Sequence, residues 1–497
     1  MTQASSPRPL PAFFRWLVLV VLSLICFAQY YVYDSITPLA TLIKHDLGFS
    51  GSDYGLLFSY YAVANVFLLM VLVAGVVVDK LGLRASGILY GFLCLLGAVL
   101  TALGTTAGVI SALGGAHGWL ATAFLPAWSP ALKIMLLGRM IYGVGAEAIL
   151  VVNNKVLARW FKGKELAFAY GANLTIMRLG TFLALNLQAP LGAGPGQAEP
   201  TSGLLTTLSR GFVWLFAEVQ RAVERGFGVA WDLRVSLWFA AGVMALGFAS
   251  FFAYLLLERA ARGRLGAPGA TATGAIAPEE RFVLREAFTF GAPFWCISLL
   301  CMAFYSAVFS FQSYAPDILV QRFGYTVDRA ALYTSALIFG TMIFTPIFGW
   351  IVDHKGRRAT LMILGSLLLV PCYLLISYTH VPPVIPIFFV GVSLSLVPAA
   401  LWAAIPMMVP ERRLGTAFGV VGYVQNVGLW LFPWIAGKIA DAHTTLTAAG
   451  DTVIDYTSTM LLFVALGVVG FICALLLKWA DARRKSGTSI EQVILHG

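Results

Sequence analysis

Charged residues are scarce in this 497-residue chain. Only 11% of the residues are Asp, Glu, Lys or Arg, whereas 59% are hydrophobic and 13% are aromatic. A water-soluble globule of this size needs a more polar surface, so the composition excludes that class and indicates a protein that folds in lipid. Apolar runs such as 16–28, 63–78 and 460–477 approach the roughly 20 residues that cross a bilayer as a helix. They lack the alternation of barrel strands.

Motifs for enzyme chemistry are also missing. The chain has no His-Glu-x-x-His, Cys-x-x-Cys or Gly-x-Ser-x-Gly, and its six cysteines all lie in hydrophobic runs, where a small buried side chain is their ordinary role. Gly143-Val-Gly145-Ala-Glu-Ala148 matches a dinucleotide fingerprint, but it lies within a hydrophobic run rather than between a strand and a helix. We therefore expect no enzyme activity, no cofactor and no metal.

Twelve apolar spans account for the hydrophobic sequence. An even number puts both termini on one face, where 19 of the 33 Lys and Arg residues fall, against 6 on the other face and 8 within spans. The positive-inside rule then predicts cytoplasmic termini, so the net charge of +10 is a topology signal and does not indicate nucleic-acid binding. The predicted spans are 13–40, 53–78, 85–106, 133–157, 165–189, 235–257, 290–314, 329–352, 360–378, 382–408, 414–440 and 456–479.

A loop motif occurs twice, at matching places in the chain. The loop after the second span reads Gly75-x-x-x-Asp79-Lys80-x-Gly82-x-Arg84, and the loop after the eighth reads Gly349-x-x-x-Asp353-His354-Lys355-Gly356-Arg357-Arg358. Residues 165–180 likewise align with 413–428. We therefore predict two six-helix halves in parallel repeat. The predicted segments are an N-terminal half over 1–257 with extended outer loops at 107–132 and 190–232, a linker over 258–289, a C-terminal half over 290–480 and a tail over 481–497.

The repeated loop resembles the signature of the major facilitator superfamily, from which it departs at Leu83 and His354. Gly138-Arg139 with Gly143 and Gly145 is similar to the fourth-helix arginine motif of that superfamily. The resemblance implies an all-α membrane protein of twelve transmembrane helices in two pseudo-symmetric halves. It also implies a gate of glycines and charges at helix ends. The predicted gating residues are Gly75, Asp79, Lys80, Arg84, Arg139, Gly349, Asp353, Arg357 and Arg358.

Within the superfamily the chain resembles a branch of lysosomal dipeptide carriers. The likeness is carried by 160–166, by Arg178 with Gly180, and by 409–419 and 425–428. It implies dipeptide uniport, and in animals such carriers have a glycosylated partner subunit. The sequence leaves an accessory subunit open, and we expect a monomer.

Ionised side chains are rare inside the spans. Glu147 lies near the middle of the fourth span, Arg178 near the middle of the fifth, and Asp34 in the outer part of the first. An ion at mid-bilayer costs at least about 2.5–3.5 kcal/mol, so such residues normally face a cavity and a partner. An acid and a base at similar depth suit a zwitterion, with Glu147 receiving an ammonium and Arg178 a carboxylate. A salt bridge between the two that only orients the helices is the alternative.

Other polar and aromatic residues of the spans are predicted to line the same site. They are Asn154, Asn173, Asp34, Tyr30, Tyr60, Asn65, Tyr305, Trp402, Tyr423, Gln425 and Asn426.

The predicted function is transport of short peptides, dipeptides preferred, by rocker-switch alternating access. An organic-anion or amino-acid carrier, with or without proton coupling through Glu147, is the alternative. We expect the plasma membrane of a bacterium, and an amphipathic helix over 203–228 that rests on the outer membrane surface or docks a partner.

Overall fold

The computed structural model describes residues 12–112, 119–122, 125–161, 165–193, 232–265, 290–410, 413–446, 452–483 and 489–492. The predicted amphipathic helix over 203–228 and residues 266–289 of the predicted linker lie outside these ranges. The helices, in chain order, are α1 Ala12–Asp34, α2 Ala40–Leu47, α3 Gly51–Phe67, α4 Met70–Leu103, α5 Ala107–Ala112, α6 Trp119–Thr122, α7 Pro130–Phe161, α8 Leu166–Ala193, α9 Leu233–Leu265, α10 Ala292–Phe323, α11 Val327–Thr334, α12 Ala336–Lys355, α13 Arg358–Tyr378, α14 Val384–Met408, α15 Leu414–Ala442 and α16 Thr457–Ala482. Strands β1 Thr444–Leu446 and β2 Thr452–Ile454 form an antiparallel hairpin before α16.

The described helices are compatible with the twelve membrane crossings that the sequence predicts. Ten stretches within the described ranges are long and apolar enough to span a bilayer. Two further crossings complete the predicted twelve. One consists of α3 with the first part of α4. The other is α8, which is long enough at 28 residues but whose mean hydropathy is lowered by polar residues such as Asn173, Arg178 and Gln188. The predicted all-α fold class is confirmed.

Helix boundaries differ from the predicted spans near the first repeated loop. The second predicted span, 53–78, consists of two helices, because Leu69 takes a left-handed backbone conformation with φ 51° and ends α3. The predicted loop between the second and third spans is a kink inside α4 at Gly82, whose φ of 78° glycine adopts at little cost. The first span ends at Asp34 rather than at residue 40. Hydropathy detects the apolar length of a segment but not such local breaks.

The helices pack as two halves, one of α1–α9 and one of α10–α16. In the first half α4 packs on α7 and α1 on α8 and α9; in the second, α12 packs on α14 and α10 on α16. The tightest packing between the halves joins α3 to α15. We call the membrane face at which α1 begins and α16 ends the terminal side, and the other face the opposite side.

Polar contacts join the halves at the opposite side. The Asp441 carboxylate, near the end of α15, accepts hydrogen bonds from the first backbone N–H groups of α3, at 2.5 Å from Gly51 and 2.9 Å from Ser52. The buried Asp317 of α10 pairs with Lys44 of α2 and binds the Tyr456 hydroxyl. We call this set, Lys44, Gly51, Ser52, Asp317, Asp441 and Tyr456, the opposite-side closure.

Glycines permit the close approach of α3 and α15 in this closure. A Cβ atom on Gly437 would lie 2.2 Å from the Gly51 carbonyl oxygen, and one on Gly55 would lie 2.3 Å from that of Pro433. At Gly75 and Gly349, where the sequence predicts close helix contact, a Cβ atom would meet no described atom within 4 Å. That contact is not made in this conformation, because the halves approach each other at the other end of the helices.

Candidate functional site

A cavity of about 740 Å³ lies between the two halves. At the opposite side its end is covered by the opposite-side closure. Toward the terminal side its lining includes Asn154 and Phe418, which are exposed, Phe418 by 37%. The cavity therefore opens to the terminal side.

Glu147 of α7 faces this cavity. One of its carboxylate oxygens, Oε1, accepts a hydrogen bond of 2.9 Å from the hydroxyl of Tyr61 on α3. Gly143, one turn earlier on α7, brings the two helices together, since a Cβ atom there would lie 2.0 Å from the Tyr61 carbonyl oxygen. Tyr61 is 5% exposed and fixes the direction of the carboxylate. In the described part of the chain the other oxygen has no protein partner and is available to a ligand.

Arg178 of α8 lines the same cavity. Its guanidinium carbon lies 5.8 Å from the ring centroid of Tyr30, and within the described residues its buried Nε has no hydrogen-bond acceptor. Among the residues described, no ion pair joins Arg178 to Glu147. The salt bridge that would only orient helices is thus not formed here, and both charges are open to a ligand.

Tyr30 lies among the charged residues of the cavity. It lines the cavity together with Arg178, Glu147 and Asp34, all from the first half. Asp34 lies at the closed end of the cavity, is 2% exposed and accepts a 2.8 Å hydrogen bond from Gln312 of the other half. Two acids and one base from the first half therefore surround one volume.

The structure brings together most of the residues predicted for the site. The cavity lining contains Glu147, Arg178, Asp34, Tyr30, Asn154, Tyr305, Trp402, Gln425 and Asn426.

Four predicted residues do not line the cavity. Asn173 is 4% exposed and accepts a 2.8 Å hydrogen bond from Ser23. Tyr60 packs edge-on against Trp128, and Asn65 donates across the interface between the halves to Asn426 at 3.2 Å. Tyr423 is the fourth. These side chains bind neighbouring helices or face away from the cavity.

Several residues that line the cavity were not predicted from the sequence. Tyr61, whose hydroxyl donates to Glu147, follows the predicted Tyr60 by one position. One position rotates a side chain by about 100° around the helix axis, so the two tyrosines lie on different faces of α3. Asn65, four positions along, lies on the same face of α3 and reaches Asn426 of the second half, and that spacing is the signal that favours Tyr61. Other lining residues not predicted are Gln29, Tyr33, Phe309, Thr341, Thr345, Ser395 and Phe418.

The predicted gating charges of the first half pair within that half. Arg84 contacts the Glu258 carboxylate at 2.9 Å, and Arg159 contacts it at 3.2 Å. Arg139, 1% exposed, donates from Nε to the Leu57 carbonyl at 2.9 Å and lies 5.4 Å from the Tyr33 ring centroid. Arg139 of α7 thus contacts both α1 and α3 and stabilises the packing of the three helices. Lys80 is exposed, and the side chain of Asp79 lies outside the described part of the structure.

In the second half the predicted gating loop binds the tail of the chain. Arg358 donates to the Gln492 carbonyl at 2.8 Å, and the Arg357 backbone N–H donates to the Glu491 carbonyl at 3.0 Å. The Glu491 carboxylate accepts a 2.9 Å hydrogen bond from the Thr360 backbone at the start of α13. The side chains of Asp353 and Arg357 are exposed.

The amino-acid sequence is similar to those of known membrane transporters. Residues 22–433 and 314–493 match the sequence profile of the Major Facilitator Superfamily. The lysosomal dipeptide transporter MFSD1 of Homo sapiens is 26% identical over 432 residues, which cover 86% of this chain and 80% of that protein. Its counterpart in Mus musculus is 27% identical over 430 residues, covering 85% and 80%.

Solved structures share the fold at low sequence identity. A variant of the nucleoside transporter NupG has a TM-score of 0.66 and 14% identity, covering 93% of this chain and 99% of that one. A bacterial homolog of the human lysosomal transporter Spinster, in an inward-facing and occupied conformation, has a TM-score of 0.65 and 19% identity, covering 95% and 98%. These likenesses concern the fold alone.

Proposed function

The chain belongs to the major facilitator superfamily, and we propose that it carries short peptides, dipeptides preferred, across the membrane. It is a multi-pass membrane transporter and not an enzyme. The relatives named as dipeptide transporters support a peptide substrate, and so does the chemistry of the cavity. The organic-anion or amino-acid carrier is the alternative.

The observation that carries the proposal is the separation of Glu147 from Arg178. Each faces the cavity, neither pairs with the other, and an unpaired ion in the membrane interior indicates a ligand. A zwitterion satisfies both, since its ammonium donates to Glu147 and its carboxylate accepts from Arg178. A dipeptide has these charges at its two ends, with one peptide bond between them.

We further propose alternating access by rocking of the two halves, with uniport as the mode. In the ranges described, the histidines lie at helix ends or in loops, so Glu147 and Asp34 are the acids positioned for a proton. Binding a zwitterion adds no net charge to the site, so transport requires no proton.

The terminal side is proposed to face the cytoplasm, on the support of its excess of Lys and Arg. The relatives are lysosomal by name, and for this chain the bacterial plasma membrane stays a prediction. We propose that the protein is a monomer in the bilayer and that it binds a small solute.

Ligands with one blocked terminus test the proposal. We expect alanyl-alanine to raise the melting temperature of the purified protein and to enter proteoliposomes, ahead of alanine and of succinate. Acetylating its ammonium should weaken binding to wild type, but much less in Glu147→Gln, where the charged partner is already lost. The reciprocal result is expected for the dipeptide amide with Arg178→Gln.

Glu258→Gln is the matched binding control, because Glu258 is a buried carboxylate outside the cavity. If succinate binds while alanyl-alanine does not, and Arg178→Gln alone abolishes binding, the protein is an organic-anion carrier. Full binding of acetylated dipeptide by wild type would remove Glu147 from the site.

A further inference from the structure

Tyr305 brings a hydroxyl group from the second half into the cavity. The indole nitrogen of Trp402 on α14 donates a 3.0 Å hydrogen bond to the Tyr305 oxygen on α10. Indole is a donor only, so the tyrosine oxygen is the acceptor and its own proton points elsewhere. No group in the described ranges accepts that proton. Tyr305 therefore offers a donor to whatever occupies the cavity.

Aromatic packing fixes the direction of this donor. The Tyr305 ring stacks on Phe309 with centroids 5.7 Å apart and planes 5° apart, and Phe304 meets it edge-on at 6.1 Å. Trp402 in turn stacks on Phe418 at 6.1 Å. A tyrosine held in this way loses little further freedom when its hydroxyl binds a ligand.

Arg178 of the first half faces the same cavity as this hydroxyl. Arg178 and Tyr305 both line the cavity, one from each half. Among the residues that the structure describes, the buried Nε of Arg178 has no acceptor, and the Tyr305 proton has none either. A carboxylate has two oxygens with about four acceptor sites, enough for both donors. Neither donor alone spans the interface between the halves, whereas a shared carboxylate does.

We propose that Tyr305, oriented by Trp402, is the second ligand of the substrate carboxylate, so that the carboxylate links the two halves through Arg178 and Tyr305. The proposal rests on the proposed function, which puts a carboxylate at Arg178. It assigns Tyr305 a binding role and Trp402 a positioning role. The substrate is then required to complete the contact between the halves at the cavity.

Three ligands and two variants, Tyr305→Phe and Trp402→Phe, test this role by titration of the purified protein. The ligands are alanyl-alanine, its N-acetyl derivative, which keeps the carboxylate, and its C-terminal amide, which lacks it. Tyr305→Phe should weaken binding of both carboxylate ligands by roughly 10- to 100-fold, the size of a hydrogen bond to a charged group, and change the amide by less than about 2-fold. Trp402→Phe should give a smaller loss in the same pattern.

Tyr373→Phe is the control, since Tyr373 donates a 3.0 Å hydrogen bond to the Ala307 carbonyl, away from the cavity. It should leave all three affinities unchanged. An equal loss for the amide and the free dipeptide in Tyr305→Phe, or no loss for either, overturns the role of Tyr305 while the peptide proposal stands. If no ligand binds wild type, the proposed function fails and this role fails with it.

Discussion

The two faces of the membrane differ in what their charged residues connect. At the opposite side, Asp441 and Asp317 reach from the second half to the backbone or the lysine of the first. At the terminal side, the ion pairs in the described ranges stay within one half, as Arg84 does with Glu258. The energy that holds the halves in this conformation is therefore concentrated in the opposite-side closure. The terminal-side pairs hold each half together and leave the halves free to part.

The largest effect is expected from breaking the buried pair of this closure. Asp317→Asn leaves the Lys44 ammonium, with an 11% exposed side chain, in the interface without an anion. Removing one partner of a buried pair costs about 3–5 kcal/mol, and opening of the opposite side relieves this cost by letting Lys44 meet water. We expect the open form to become the major population. Spin labels at His45 and Val453, both exposed, measure the separation of the halves in a cysteine-free background.

Asp46→Asn is the matched control, because Asp46 is on the same helix and 43% exposed, and its one ion pair in the described ranges, with His45, is already lost when His45 carries the label. Its distance distribution should match wild type. If Asp317→Asn also leaves the distribution unchanged, apolar packing rather than the ion pair holds the closure.

A smaller effect is expected from filling the space between α3 and α15. In Gly437→Ala the new methyl group would lie 2.2 Å from the Gly51 carbonyl oxygen, so the two helices must separate. Overpacking of this kind costs about 1–3 kcal/mol. The same spin labels should show a partial shift toward the open form.

Gly415→Ala on the same helix separates this effect from helix propensity. A Cβ atom at Gly415 meets no atom of the described residues within 4 Å, and both variants gain the preference of about 1 kcal/mol for alanine in a helix. Equal distance distributions for the two variants would show that α3 and α15 do not need the close approach.

The sequence predicts the crossings well because apolar length and the placement of Lys and Arg follow directly from the bilayer. It also identifies Glu147 and Arg178 as candidates, since charges are so costly inside the membrane that few occur there. It does not predict the opposite-side closure. Asp441 and Asp317 lie near helix ends, where a charge in the sequence does not stand out as it does at mid-bilayer, and their partners are 390 and 273 residues away. Their role depends on how the halves meet, which is a property of one conformation.

The smallest effect is expected at the terminal side, where Glu258→Gln removes the carboxylate shared by Arg84 and Arg159. The two arginine side chains are 42% and 35% exposed, so both can be hydrated once the carboxylate is gone. Each pair should contribute only about 0.2–1 kcal/mol, and less in high salt. We expect a slightly lower melting temperature and an unchanged distance between the labels, because all three groups move with the same half.

Arg234→Gln is the control, as Arg234 forms an exposed pair with Asp232 at 3.7 Å, in the same half but at its other end. A shift toward the open form in Glu258→Gln, absent in Arg234→Gln, would mean that the terminal-side charges also set the balance between conformations, and the contrast between the two faces would be lost.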